Sequence, residues 1–236
     1  MKEFEKMTRT EALVFCLMSV CSGLMIGIGG VASLLANNLL ESWGKVVGAA
    51  LFSLGIFAIV TYEMRLFTGM VADIPNMGIK NMWRLPVCFL GNILGVAIVT
   101  VLAYYSPVAD KVVPQAQALI SGKLSVDDWA IRALCSSILC GILITTSVWS
   151  VRHAPKKTLS ASVGVMFPII VFAFCGFDHS VANMLYFYYL GEISGQIVGY
   201  ILLTVVGNVI GGVILPFIML LKGKTQTKDT TIVSKK

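Results

Sequence analysis

Long apolar runs constrain this chain more than any other feature. Six stretches of roughly 20 or more residues are apolar with few charges, and runs of that length read as membrane spans. They lie at about 12–36, 46–64 continuing to 79, 85–106, 129–150, 158–190 and 196–221. Lipid offers backbone groups no water partner, so spanning segments must satisfy their own hydrogen bonds. Only 13% of residues are charged, against roughly 25% in soluble domains. The expected fold is therefore an all-α membrane protein with six transmembrane helices, forming a single domain over 1–236. The longest polar connection is about 107–128. The tail at 223–236 is expected to be a disordered cytoplasmic segment.

The first run reads as a span and not as a cleaved signal. It is about 25 residues long, beyond the roughly 7–15 of a signal's apolar core. All six cysteines fall inside apolar runs, where cysteine behaves as a small core residue. Basic residues set the orientation. Six spans put both termini on one side, together with Lys2, Lys6, Arg9, Lys80, Arg84, Arg152, Lys156, Lys157 and the tail lysines. The other side holds Lys45, Lys111, Lys123 and Arg132. The positive-inside rule then places both termini in the cytoplasm. The net charge of +6 thus reflects topology. Nucleic acid is not an expected partner, since the basic residues form no stripe with interleaved aromatics.

Two runs are interrupted by polar residues. Gly176-Phe177-Asp178-His179-Ser180 breaks the run at 158–190. An ionisable pair at that depth marks a substrate or proton path by default. The plainer alternative is a histidine that bonds a neighbouring helix for packing. The second run carries Glu63 and Arg65, then Thr68-Gly69. That segment could be a helix end near the headgroups, but Met70–Met77 continues mildly apolar beyond it. Arg65 must be paired or reach water, and Glu63 and Asp178 are its candidate partners.

The chain also repeats itself. Cys21–Gly27 matches Cys135–Gly141, and Gly91-Asn-Ile-Leu-Gly95 matches Gly207-Asn-Val-Ile-Gly211, at offsets of 114 and 116. The repeats run over about 12–106 and 129–221. Three spans per repeat is an odd number, so the halves are inverted in the membrane, and inverted repeats with broken helices point to a midplane transport site. Gly191, Gly195 and Gly199, spaced by four, read as a close-packing face of the last span.

Pro168-x3-Phe172-x3-Gly176-Phe-Asp-His179-Ser-Val-Ala-Asn183 resembles the hallmark segment of the formate/nitrite transporter family. Leu66-Phe67-Thr68-Gly69 resembles that family's second hallmark, and Gly207-Asn208 with Gly211-Gly212 resembles its last helix. The resemblance implies an aquaporin-like fold with two interrupted helices, and a homopentamer in the inner (plasma) membrane. It implies a separate pore in each protomer for small monovalent anions: formate, nitrite or hydrosulfide. It places His179, Thr68, Thr145, Val148 and Asn183 around the centre of that pore. Leu66 and Phe67 resemble one constriction; Phe172, Ile56 and Phe52 resemble the other. Lys157 or Lys156 resembles the basic residue of the cytoplasmic vestibule. Arg65 stands where relatives carry an acid or amide, Thr145 where they carry asparagine, and Asp178 where they carry glutamate. The first two departures bear on the substrate.

Physical chemistry supports a weak-acid path independently. An isolated anion costs several kcal/mol or more to bring into an apolar constriction. Desolvation favours neutral imidazole, and an arriving anion reverses that bias. Either the histidine answers the anion's charge, or the histidine or water protonates the anion and the neutral acid crosses. Enzyme chemistry is not expected, since the only histidines are His153 and His179 and no metal or cofactor set is evident. The rival class is an aquaporin-like channel for neutral solutes, but no Asn-Pro dipeptide of its signature turns occurs.

Overall fold

The computed structural model describes residues 7–153 and 159–233. Among them, every regular element is helical. Helix α1 spans Arg9–Leu39, α2 Gly44–Thr61, α3 Phe67–Met70, α4 Arg84–Tyr104, α5 Ala109–Leu124, α6 Trp129–His153, α7 Leu159–Cys175, α8 Asn183–Leu190 and α9 Gly195–Val233. A capping box starts α1. The Thr8 hydroxyl accepts from the Glu11 N–H, while the Thr8 N–H donates to the Glu11 carboxylate, so two donors the helix leaves orphaned are satisfied.

Among the described residues, five helical stretches are long and apolar enough to cross a membrane: Arg9–Leu39, Glu41–Thr61, Ile79–Tyr104, Trp129–Arg152 and Gly195–Lys222. The expected run at 158–190 is not a sixth continuous helix. It divides into α7 and α8, and residues 176–182 between them leave the helix. Gly176 ends α7 with φ +72°, a left-handed conformation that glycine adopts without a Cβ clash. The second run is divided as well. After α2 the chain turns through Glu63, with φ +53°, and resumes as helix only at Phe67. A 3-10 segment, Val71–Asn76, follows α3.

Two expectations need correction. The polar connection at 107–128 is largely helix α5, whose Val112, Ala116 and Ile120 are buried. Their spacing of four gives one apolar stripe on an otherwise polar helix, and it lays α5 against α1 and α8. The tail expected to be disordered is helical through Val233. Extending an existing helix adds one hydrogen bond per residue without a new nucleation cost.

The halves are built alike. Helix α1 packs on α2 and α4, α6 packs on α7 and α9, and α2 against α7 joins them. Glycines set both long crossings. A methyl group on Gly23 would strike the Asn92 carbonyl, and one on Gly141 would strike the Asn208 carbonyl. Gly95 meets the Val20 carbonyl as Gly211 meets that of Ile138, and Gly91 meets Ser19 as Gly207 meets Ser137. The counterpart of Gly141 is thus Gly23. The match of Cys21 to Cys135 would have made it Gly27, about one helical turn away. A motif of small apolar residues reads almost as well one turn out of register, and contacts decide. Gly191 also differs from expectation. It lies at the end of α8 with φ +73°, outside the last long helix.

Candidate functional site

The two chain breaks face each other in the core. His179 and Thr68 are each 1% exposed, and Thr68 Oγ1 lies 2.9 Å from His179 Nε2. The other ring nitrogen, Nδ1, accepts the Ala182 N–H at 3.1 Å. An accepting Nδ1 carries no proton, so the neutral ring bears its hydrogen on Nε2. Nε2–H therefore donates to the Thr68 oxygen, which leaves the threonine hydroxyl hydrogen free to donate elsewhere.

Aromatic rings flank this pair. The Phe172 ring stacks on the His179 ring with centroids 5.8 Å apart, and Phe52 meets Phe172 edge-on at 5.6 Å. On the other side, Leu66 and Phe67 lead into Thr68, and Phe67 packs on Phe89 at 4.9 Å. Leu66, Phe67, Phe172, Ile56 and Phe52 are all buried in one apolar cluster. Val148 sits beside Gly69, directly after Thr68.

Other residues lie differently from a simple pore-lining picture. The Thr145 hydroxyl donates to the Gly212 carbonyl at 2.8 Å, so it ties α6 to α9. The Asn183 amide donates to Asp178 Oδ1 at 2.8 Å. Arg65 is exposed, and neither candidate partner meets it: Glu63 is exposed too, and Asp178 is taken by Lys123. Lys156 and Lys157 lie outside the described residues.

Lys123 is the side chain beside the site that sequence reasoning missed. It stands at the end of α5, and its ammonium reaches Asp178 Oδ1 at 2.6 Å and the Gly176 carbonyl at 3.1 Å. Tyr200 donates to the same carboxylate oxygen at 2.9 Å, and the Asp178 N–H donates to Ser136 Oγ at 2.8 Å. The buried aspartate thus has a cation and two neutral donors on one oxygen, which is how a buried charge is tolerated. A usable signal was present. Lys123 lies three residues beyond Ile120, on the face already marked by Val112, Ala116 and Ile120, and residues three or four apart share a helix face.

A paired imidazole and hydroxyl between apolar rings, with a charged cluster one residue away, suits passage of a small polar species better than covalent chemistry. The model of the formate/nitrite transporter family matches residues 1–221. The chain belongs to that family. It is 27% identical over 220 residues to the uncharacterised transporter YrhG of Bacillus subtilis, covering 81% of this chain and 78% of the relative. It is 25% identical over 227 residues to the nitrite transporter NirC of Salmonella typhimurium, covering 89% and 82%. The formate channel FocA of Haemophilus influenzae is 29% identical over 157 residues, covering 60% and 53%. Among solved structures, an FNT family ion channel superposes with TM-score 0.77 at 22% identity, covering 91% of each chain. A pentameric formate channel with formate bound superposes at 0.75 and 19% identity, covering 94% of this chain and all of that one. At those identities the likeness concerns the fold. As a family member the chain is a multi-pass membrane channel or transporter and not an enzyme.

Proposed function

We propose that this protein passes a small monovalent weak-acid anion, formate or nitrite in the first place, through a path centred on Thr68 and His179. The contact of Thr68 Oγ1 with His179 Nε2 at 2.9 Å, between two breaks and two sets of apolar rings, carries the reading. Hydrosulfide is the alternative substrate within the same family. In this reading α7 and α8 count together as one crossing, so the chain crosses six times, with both termini on the cytoplasmic side of the plasma membrane. The functional unit is a homopentamer with one path per protomer; that a pentameric formate channel shares the fold of this chain supports the assembly.

The ring geometry bears on the proton. A neutral imidazole whose only N–H bonds Thr68 would become an imidazolate on giving that proton away. His179 therefore acts as a hydrogen-bond donor that orients Thr68. The threonine hydroxyl then donates to the anion in the middle of the path. Protonation of the anion, where it occurs, comes from water before the apolar rings at Leu66-Phe67 or Phe172-Phe52, and the neutral acid crosses them more cheaply than the ion. Weak-acid anions fit this path and strong-acid anions do not.

The test is flux into liposomes of purified protein. Formate, nitrite and hydrosulfide are compared with chloride and nitrate at two pH values. Flux of a weak-acid anion that rises as pH falls, with chloride and nitrate carried at least tenfold more slowly, is the expected result. Equal rates for all five anions, unchanged by pH, would sink the reading.

A further inference from the structure

Asn92 of α4 and Asn208 of α9 occupy the same place in the two repeats, and their side chains make the same three hydrogen bonds. The Asn92 oxygen accepts the Phe67 N–H at 2.8 Å, and its amide nitrogen donates to the Arg65 carbonyl at 2.8 Å and to Ser19 of α1 at 2.7 Å. The Asn208 oxygen accepts the Ser180 N–H at 2.8 Å, and its nitrogen donates to the Asp178 carbonyl at 2.9 Å and to Ser137 of α6 at 2.8 Å. Both residues are buried, at 0% and 1% exposure. Each amide bridges a carbonyl and the N–H two residues later, as a neighbouring peptide unit would. The residue enclosed is Leu66 in one break and His179 in the other. The third bond anchors each bracket to the partner long helix at the glycine crossing, where Gly23 and Gly141 allow close approach.

We propose that Asn92 and Asn208 are positioning residues: repeat-related brackets that fix the two breaks so that Thr68 meets His179. The physical reason is general. A break in a membrane helix frees backbone donors and acceptors that lipid cannot satisfy, and they must be met from within the protein. An asparagine amide offers one acceptor and two donors, which is what each break uses. Neither asparagine side chain bonds the Thr68 hydroxyl or the His179 ring, so the brackets act through backbone placement alone. The consequence for transport rests on the pore reading above. The placement itself does not.

Two histidines in the chain make the test direct. With His153→Gln, the His179 ring is the sole imidazole, and 15N-histidine labelling reports its two nitrogens by NMR. In the parent, one nitrogen is protonated and bonded, and the other is unprotonated. Thr68→Val gives the position of the Nε2 resonance without its partner. Asn92→Ala is expected to move that resonance most of the way to the Thr68→Val value, and to lower liposome flux at least tenfold. Asn92→Asp, which keeps the acceptor for Phe67, is expected to fall between, and serves if the alanine variant does not assemble. An Nε2 resonance at the parent position in an Asn92 variant that melts at lower temperature would show a packing role only and overturn the proposal. A shifted resonance in a protein that carries no anion even unmutated would leave the brackets standing and remove the pore reading.

Discussion

At the scale of single residues, the site rests on one hydroxyl and one imidazole held by short, directional contacts. Thr68→Val keeps the shape of the side chain and removes the donor. A hydrogen bond to a charged partner contributes about 1.5–3 kcal/mol, so anion flux should fall roughly ten- to hundredfold, with the folded protein retained. Parent-like flux in Thr68→Val liposomes would take Thr68 out of the path. His179 and Thr68 stood out in the sequence because an ionisable residue or a broken motif inside an apolar run has few innocent explanations, whereas Phe172 and Phe52 were singled out only by the family resemblance, and their rings lie beside the histidine. Roles assigned by position within a helix were less legible. Thr145 and Asn183 both lie close to the site, yet their polar atoms meet the Gly212 carbonyl and Asp178. Spacing along a helix gives the face a residue occupies, while the neighbour that takes its hydrogen bond belongs to another part of the chain.

At the scale of elements, α5 is the piece that most changes the picture. Its mean polarity hides a narrow apolar stripe, so a reading based on apolar windows passes over it. The helix then delivers Lys123 to a carboxylate 55 positions away. Removing one partner of a buried pair strands the other, at a typical cost of about 3–5 kcal/mol. The Lys123 side chain keeps 23% exposure against 4% for Asp178, so Lys123→Met should lie at the low end of that range. Lys123→Met with Asp178→Asn should recover much of the loss, and thermal unfolding of the two single variants and the double closes the cycle. Additive losses would show that the pair contributes no coupling. A second tie is more exposed: Arg152 bonds Asp73 through its two terminal guanidinium nitrogens at 2.6 and 3.2 Å, joining the segment after α3 to the end of α6. Exposed pairs of that kind contribute at most about 1 kcal/mol. The long helices themselves were legible to within a few residues, except at the end of α9, which runs to Val233 where the apolar run ends at about 221. The repeat was legible too, but only its contacts gave the register, through Gly23 and Gly141.

At the scale of the whole molecule, one charge remains to be placed. The Arg65 N–H reaches the Met18 carbonyl at 3.4 Å, and its carbonyl is held by Asn92. Met18 and Asn92 lie roughly 12–14 Å along their helices from the starts of α1 and α4 at 1.5 Å per residue, inside two of the stretches long and apolar enough to cross a membrane. A guanidinium exposed there on a single chain cannot face hydrocarbon without a large penalty. It must face water in the path or the surface of a neighbouring copy. The sequence left Arg65 either paired or in water, and among the described residues neither candidate partner meets it, since Glu63 is exposed and Lys123 holds Asp178. Water in the proposed path fits better, because Arg65 directly precedes Leu66 and Phe67, where that proposal has an entering anion meet the apolar rings. A cation there raises the local anion concentration, and salt screens the effect, with a Debye length of about 10 Å at 0.1 M. Arg65→Gln is therefore expected to leave thermal stability and oligomer mass unchanged. Flux should fall severalfold at low ionic strength, and the difference from the parent should shrink as salt approaches 1 M. Dissociation to monomer in native mass spectrometry, with a flux deficit independent of salt, would place the arginine against a neighbouring copy instead.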